Sequence, residues 1–266
     1  MSDLVQAANL LSLKTKAISL KNLCFSYGQE RAILTDVNLE IAPGESVGLV
    51  GANGAGKTSL FLTICGILTP TYGEIKLFDR VIKPGQFNPE IGLVFQNPDD
   101  QLFCPTVRDD LAFGLENIGV SPEEVTTRID AALSLTGVTH LSERISHQLS
   151  GGEKCMVAIA AVLAMLPQIV LYDEPSANLD LRARRRLIKF LQASHETIVV
   201  SSHDLELIIE VCDRVVMLNQ GRIIADGTPQ EIMSNNSLME ANGLEVPHSL
   251  IHYHRDREFG IRDLGI

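Results

Sequence analysis

The stretch LVGANGAGKT, ending at Thr58, sets a glycine-rich loop between an apolar run and the start of a helix. Gly51, Gly54 and Gly56 let the backbone take conformations that a Cβ would forbid, so that successive N–H groups converge on phosphate oxygens at a helix N-terminus. Lys57 supplies a flexible point charge for β- and γ-phosphates, and Thr58 a hydroxyl for Mg²⁺. The spacing G-x-x-x-x-G-K-[ST], in its strand-then-helix context, reads as a phosphate cradle rather than as a glycine turn closed by a lysine.

A cradle of this kind needs a buried sheet behind it. The 266 residues, 45% of them hydrophobic, suffice for one large or two small domains with a substantial core. No window approaches ~18 uninterrupted apolar residues, and the start, MSDLVQAANLLSLKTK, lacks the order of a signal peptide, which predicts a chain that stays on the cytoplasmic side. Cys24, Cys65, Cys104, Cys155 and Cys212 are scattered with no CxxC pair. They indicate neither a disulfide framework nor a structural zinc site. A net charge of −11 argues against a nucleic-acid partner, which needs a surplus of Lys and Arg on one face, but it does not exclude ATP, whose charge is met locally.

AISLKNLCFSY and AILTDVNLEIA read as two β-runs, and PGESVGLVG as a turn and a buried strand entering the phosphate loop. A helix is expected over residues 56–66. EIKLFDRVI reads as one further strand and residues 91–96 as another, then NPDDQLFCPTV as a loop. TVRDDLAFGLENIG and SPEEVTTRIDAALSLTG carry helical spacing and form an insertion. IVLY and TIVVSS are continuous apolar runs of the kind expected for parallel strands buried on both faces, with a helix, LRARRRLIKFLQAS, between them. A hairpin follows around residues 219–221, then a short helix and a polar tail.

Three further groups carry chemistry. LSGGE, at residues 149–153, precedes the helical run KCMVAIAAVLAML, and this second helix N-terminus could present Ser150, Gly151 and Gly152 to another face of a phosphate chain or serve only as a cap. IVLYDEP ends a buried strand with Asp173, suited to hold Mg²⁺ through water, and Glu174, suited to polarise an attacking water. Gln96 and His203 each follow a buried strand and can reach the same crevice, and Tyr27 could stack on a nucleobase.

Taken in order, Tyr27, GANGAGKT, Gln96, LSGGE, LYDEP, SANLD and His203 resemble the ATP-binding subunit of ATP-binding-cassette transporters, across roughly residues 16–227. The resemblance implies an α/β P-loop NTPase fold with a RecA-like core, an antiparallel β subdomain and a helical insertion. It implies a cassette over residues 16–230, the insertion at about 99–168, and a C-terminal extension at 231–266 that supports a dimer. It implies that Tyr27 stacks on adenine and that Gly51, Asn53, Gly54, Ala55, Gly56, Lys57, Thr58 and Ser59 form the nucleotide loop. Thr58, Gln96 and Asp173 would serve Mg²⁺, while Glu174, His203 and Gln96 would serve hydrolysis. Two subunits would pack head to tail, with Ser150, Gly151, Gly152 and Glu153 of one, and Asp180 of the D-loop, completing the site of the other. FQNPDDQLFCPTV and LMEANGLEVPHSL look like energy-coupling-factor ATPases, particularly of the cobalt/nickel uptake type, which work with a transmembrane coupling subunit and a substrate-binding membrane subunit. A vitamin-uptake ATPase is the alternative within that branch.

The chain departs from the usual signature at Met156, where an Arg normally follows. A soluble cassette protein acting on nucleic acid or ribosomes would carry a second cassette or a long coiled-coil insertion, and neither is present. A P-loop kinase of a small metabolite would need neither LSGGE nor the D-loop. His248, His252 and His254 in the tail read as a solvated or interface segment rather than a metal site.

Overall fold

The computed structural model describes residues 15–28 and 31–251. His252 and His254 lie outside the described residues, so the tail reading rests on sequence. The strands form two sheets. One is antiparallel, in the order β2 (Leu34–Ile41), β1 (Ile18–Phe25), β4 (Tyr72–Leu77), β5 (Arg80–Val81). The other has the order β10 (Arg222–Gly227), β9 (Arg214–Asn219), β3 (Ser46–Val50), β8 (Thr197–Ser201), β7 (Ile169–Asp173), β6 (Ile91–Val94), and only β10 in it runs antiparallel to its neighbour.

Side-chain alternation along the central strands explains why these runs are apolar throughout. Ile169 and Leu171 pack with the antiparallel sheet and α1 (Lys57–Ile64), whereas Val170 and Tyr172 face a second core built with α4 (Gly151–Leu163), α5 (Leu181–Gln192) and α6 (Leu205–Val211). A strand covered on both faces has no position for a polar residue until it ends. On β7 that end is Asp173. Between β6 and β7 the chain forms α2 (Val107–Asn117) and α3 (Pro122–Leu135), which pack on each other and on α4. Thr106 with Asp109 starts the first helix through a capping box, and Ser121 with Pro122 starts the second, where Ser-Pro-Glu-Glu is the start signal in the sequence.

The single strand expected from EIKLFDRVI is instead a hairpin. Leu77 pairs with Arg80, and the two turn residues, Phe78 and Asp79, have φ of 47° and 63°. A two-residue turn of this hand needs positive φ at both positions, a demand normally announced by Asn-Gly, and Phe-Asp hides it. Helix α6 carries no reading in the sequence. Its N-cap is Asp204, whose carboxylate accepts from Leu207 N–H, and Arg184 of α5 pairs with the same carboxylate. After β10 the described residues form two short helices, α7 (Pro229–Met233) and α8 (Asn236–Ala241), with residues 248–251 also helical, where the sequence suggests one short helix.

Candidate functional site

Because β3, β7 and β8 are parallel neighbours, Val50, Asp173 and Ser201 all end at one edge of the sheet, where the chain turns into the loop leading to α1. Gly51 (φ 156°) needs to be glycine, since a Cβ there would lie 2.2 Å from the Leu218 carbonyl oxygen. Gly56 (φ 106°) occupies the cap before α1, whose first residue is Lys57. Ala55 is buried, and Asn53 and Gly54 lie exposed at the tip of the loop.

Lys57 is 7% exposed, and its ammonium donates to the Gly51 carbonyl at 2.8 Å, with His203 Nε2 at 3.2 Å and Glu174 Oε1 at 3.6 Å. Burial lowers the Lys57 pKa, and the charges of Glu174 and Asp173 oppose that shift. Thr58 Oγ1 donates to Asp173 Oδ2 at 2.7 Å, and Ser201 Oγ donates to Asp173 Oδ1 at 2.6 Å. Both oxygens of Asp173 are thus engaged by hydroxyls, a pattern suited to a carboxylate acting on a cation through intervening water. Glu174 is buried and left-handed, with φ of 48°, a conformation costing roughly 1–2 kcal/mol in a non-glycine residue. Its Oε2 accepts from His203 N–H at 2.9 Å. Its Oε1, among the described residues, is a buried side-chain oxygen with no hydrogen bond. The Lys57 ammonium and His203 Nε2, at 3.6 and 3.3 Å, lie beside it without forming a hydrogen bond, so the atom keeps the capacity to accept from a water.

This donor set fits a magnesium nucleotide. Backbone N–H groups at the loop and α1, the Lys57 ammonium and the Thr58 hydroxyl would meet anionic oxygens, and Asp173 would serve a hard cation. Ser59 sits one residue further into α1, half-buried, with its carbonyl accepting from Thr63. Tyr27 presents an exposed ring held edge-on against Phe25 at 4.8 Å.

Gln96 is exposed just beyond β6 and, among the described residues, makes no hydrogen bond to Asp173 or Glu174. The loop after it is fastened to the helical region three times. Asp99 pairs with Lys154 of α4 at 2.6 Å. Gln101 accepts from Phe95 N–H and donates to the Ala158 carbonyl of α4. Buried Asp110 accepts from the N–H groups of Phe103 and Cys104 and from Ser146 Oγ. Sequence reasoning missed Gln101, Asp110 and Ser146, whose partners lie as far as 57 positions away.

Ser150, Gly151, Gly152 and Glu153 do not join the phosphate loop within this chain. They line a separate cavity of ≈ 420 Å³ with Asn178 and Asp180. Ser150 and Glu153 form a reciprocal capping box, Glu153 Oε2 accepting from Ser150 N–H at 2.8 Å and from its hydroxyl at 2.7 Å. These bonds hold the Glu153 carboxyl below its ordinary pKa. Asp180 caps α5 through Ala183 N–H. A Cβ on Gly152 would stand 2.6 Å from that of Ala183, so α4 and α5 meet here at a distance only glycine permits. Gly152→Ala is therefore expected to lower stability: the clash costs about 1–3 kcal/mol, against a helix-propensity gain of up to about 1 kcal/mol. The urea midpoint of the variant measures the difference. Met156 is buried in the core behind this segment.

A family model described as "ABC transporter" matches residues 34–177. The chain is 52% identical over 234 residues to a putative ABC transporter ATP-binding protein of Synechocystis sp., covering 88% of this chain and 82% of that protein. It is 42% identical to the energy-coupling factor transporter ATP-binding protein EcfA of Methanothermobacter thermautotrophicus, over 87% of this chain and 77% of that one. Among solved structures it is similar to cbiO1 of Clostridium perfringens, part of the ABC transporter complex cbiONQ, with a TM-score of 0.77, 32% identity, and coverage of 91% of this chain and 100% of the other.

Proposed function

This chain belongs to the ABC transporter family as an ATP-binding subunit, and we propose that it is the ATPase motor of an energy-coupling-factor uptake system, working at the cytoplasmic face of a membrane for a transition-metal ion such as cobalt or nickel. The assembly of Lys57, Thr58, Asp173, Glu174 and His203 at one sheet edge carries the chemical part of this reading. Lys57 and the loop N–H groups bind the β- and γ-phosphates, and Thr58 and Asp173 hold Mg²⁺, which neutralises phosphate charge when bound. Glu174 orients and deprotonates the attacking water through Oε1, and His203, bonded through its N–H to the other oxygen of Glu174, fixes the carboxylate. Ser150, Gly151 and Gly152 meet the nucleotide of a second copy, so a homodimer forms two complete sites. Vitamin uptake is the alternative substrate class, since the ATPase itself never contacts the cargo.

Among the described residues no helix is long and apolar enough to cross a membrane, and in this reading the chain works with a transmembrane coupling subunit and a substrate-binding membrane subunit. The segment following Gln96 favours itself as the docking surface. Phe103 and Phe113 form an edge-to-face pair at 5.0 Å while 64% and 49% exposed, and the loop bearing Phe103 is fastened to α4. Burying one such ring in a partner contributes about 2–4 kcal/mol. Co-expression with the neighbouring hydrophobic subunits is expected to yield a complex with two copies of this chain that drives uptake of labelled Co²⁺ or Ni²⁺. Phe103→Asp with Phe113→Asp is expected to abolish copurification while leaving ATP affinity of the isolated chain within about threefold. Recovery of an intact complex from the double variant removes this docking face, and uptake of a vitamin with no metal uptake selects the alternative cargo.

A further inference from the structure

We propose that Ser201 is a positioning residue for hydrolysis, setting the metal-facing and water-facing carboxylates in register with one another; the proposal rests on the reading that Glu174 orients the attacking water. The parallel pairing of β7 and β8 places Ser201 directly beside Asp173. Ser201 is fully buried, and its hydroxyl has two partners: it donates to Asp173 Oδ1 at 2.6 Å and accepts from the Glu174 N–H at 3.2 Å. The same Glu174 N–H also donates to the Ser201 carbonyl at 3.0 Å.

This geometry answers a problem raised by the backbone. Glu174 is left-handed at φ 48°, and a non-glycine residue stays in that well only when its surroundings over-determine it. Ser201 supplies two of those constraints on the main chain, and His203 N–H supplies one on the side chain. Because the hydroxyl that receives Glu174 N–H also donates to Asp173, and Asp173 in turn receives Thr58, one hydrogen-bonded chain runs from Thr58 at the start of α1 to the backbone of Glu174. The Asp173 carboxylate, which with Thr58 would hold the cation, is thereby tied in position to the backbone of Glu174. An aliphatic residue at position 201 would fill the space, but Asp173 Oδ1 would lose its donor and Glu174 N–H one of its acceptors. Misplacement of a reacting group by about 1 Å costs on the order of 10²-fold in rate.

The test compares Ser201→Ala, Ser201→Cys and Ser201→Thr with the wild type, with kcat measured at saturating Mg-ATP and nucleotide affinity measured by calorimetry with and without Mg²⁺. Cys keeps the volume but donates weakly, and Thr keeps the hydroxyl. The expected result is a fall of about 10- to 100-fold in kcat for the Ala and Cys variants, ATP affinity within about threefold of wild type, a weakened Mg²⁺-dependent gain in that affinity, and recovery of kcat by Thr. In a Glu174→Gln background Ser201→Ala is expected to lower the residual rate no further, because the two act as one unit. Wild-type kcat in the Ala or Cys variant, a Thr variant as slow as Ala, or a loss of affinity in proportion to kcat each overturns the positioning role. If Glu174→Gln itself hydrolyses at the wild-type rate, the reading of Glu174 fails instead, which separates the two outcomes.

Discussion

Glu174→Gln is expected to cut ATP hydrolysis by about 10²- to 10⁴-fold, the range contributed by a positioned general base, while ATP affinity stays within a few-fold of wild type. The amide matches the carboxylate in size, so the slot beside Lys57 and His203 remains filled and an amide oxygen can still accept from His203 N–H. What disappears is the second anionic oxygen, the buried Oε1 that has no hydrogen bond among the described residues. In the proposed mechanism that oxygen meets the attacking water and not the phosphates, so the rate is expected to fall without loss of binding. The ATP-bound dimer should accumulate, visible as a shift to larger species in size-exclusion chromatography with Mg-ATP present. Undiminished turnover by the variant would show that Glu174 is not the base.

Why the phosphate loop could be read directly from sequence, and Ser201 could not, follows from how far apart the cooperating residues are. Gly51, Gly56, Lys57 and Thr58 act within one turn of chain, and their spacing alone dictates the geometry. Asp173 and Glu174 were legible for a different reason: a run buried on both faces has to end where its first carboxylate appears, and Ile169–Asp173 does so. Ser201 acquires its place only through the pairing of β8 with β7, 28 positions away from Asp173, and a serine at a strand end carries no signal of that register. Asp110 is similar, an acidic residue on an amphipathic helix until Phe103, Cys104 and Ser146 converge on it. The left-handed residues Phe78 and Glu174 escaped for the opposite reason, since these residue types argue against the conformation and the surrounding structure imposes it. Glu153 shows a short-range pattern open to two readings, a helix cap or part of a ligand-facing segment, and within this chain its carboxylate accepts from Ser150 as a cap.

Lys57→Ala should act on binding rather than on turnover. The ammonium lies at the floor of the loop with three neighbours, the Gly51 carbonyl, His203 Nε2 and Glu174 Oε1. Burial already disfavours its charge, so the added anionic oxygens of a nucleotide are met by a cation poorly compensated by solvent. A charge-assisted hydrogen bond of this kind contributes about 1.5–3 kcal/mol, which predicts a loss of roughly 10- to 150-fold in ATP affinity by calorimetry. Lys57→Arg is expected to recover little of it. The guanidinium is a planar fork, larger than an ammonium, and the slot between Gly51 and Glu174 admits a point charge that is 7% exposed. Removing the cation also leaves Glu174 without its opposite charge in a buried position, so the nucleotide-free variant should unfold at lower urea than wild type. Affinity unchanged in Lys57→Ala would mean that the loop N–H groups alone carry phosphate recognition, and that Lys57 serves only to neutralise Glu174.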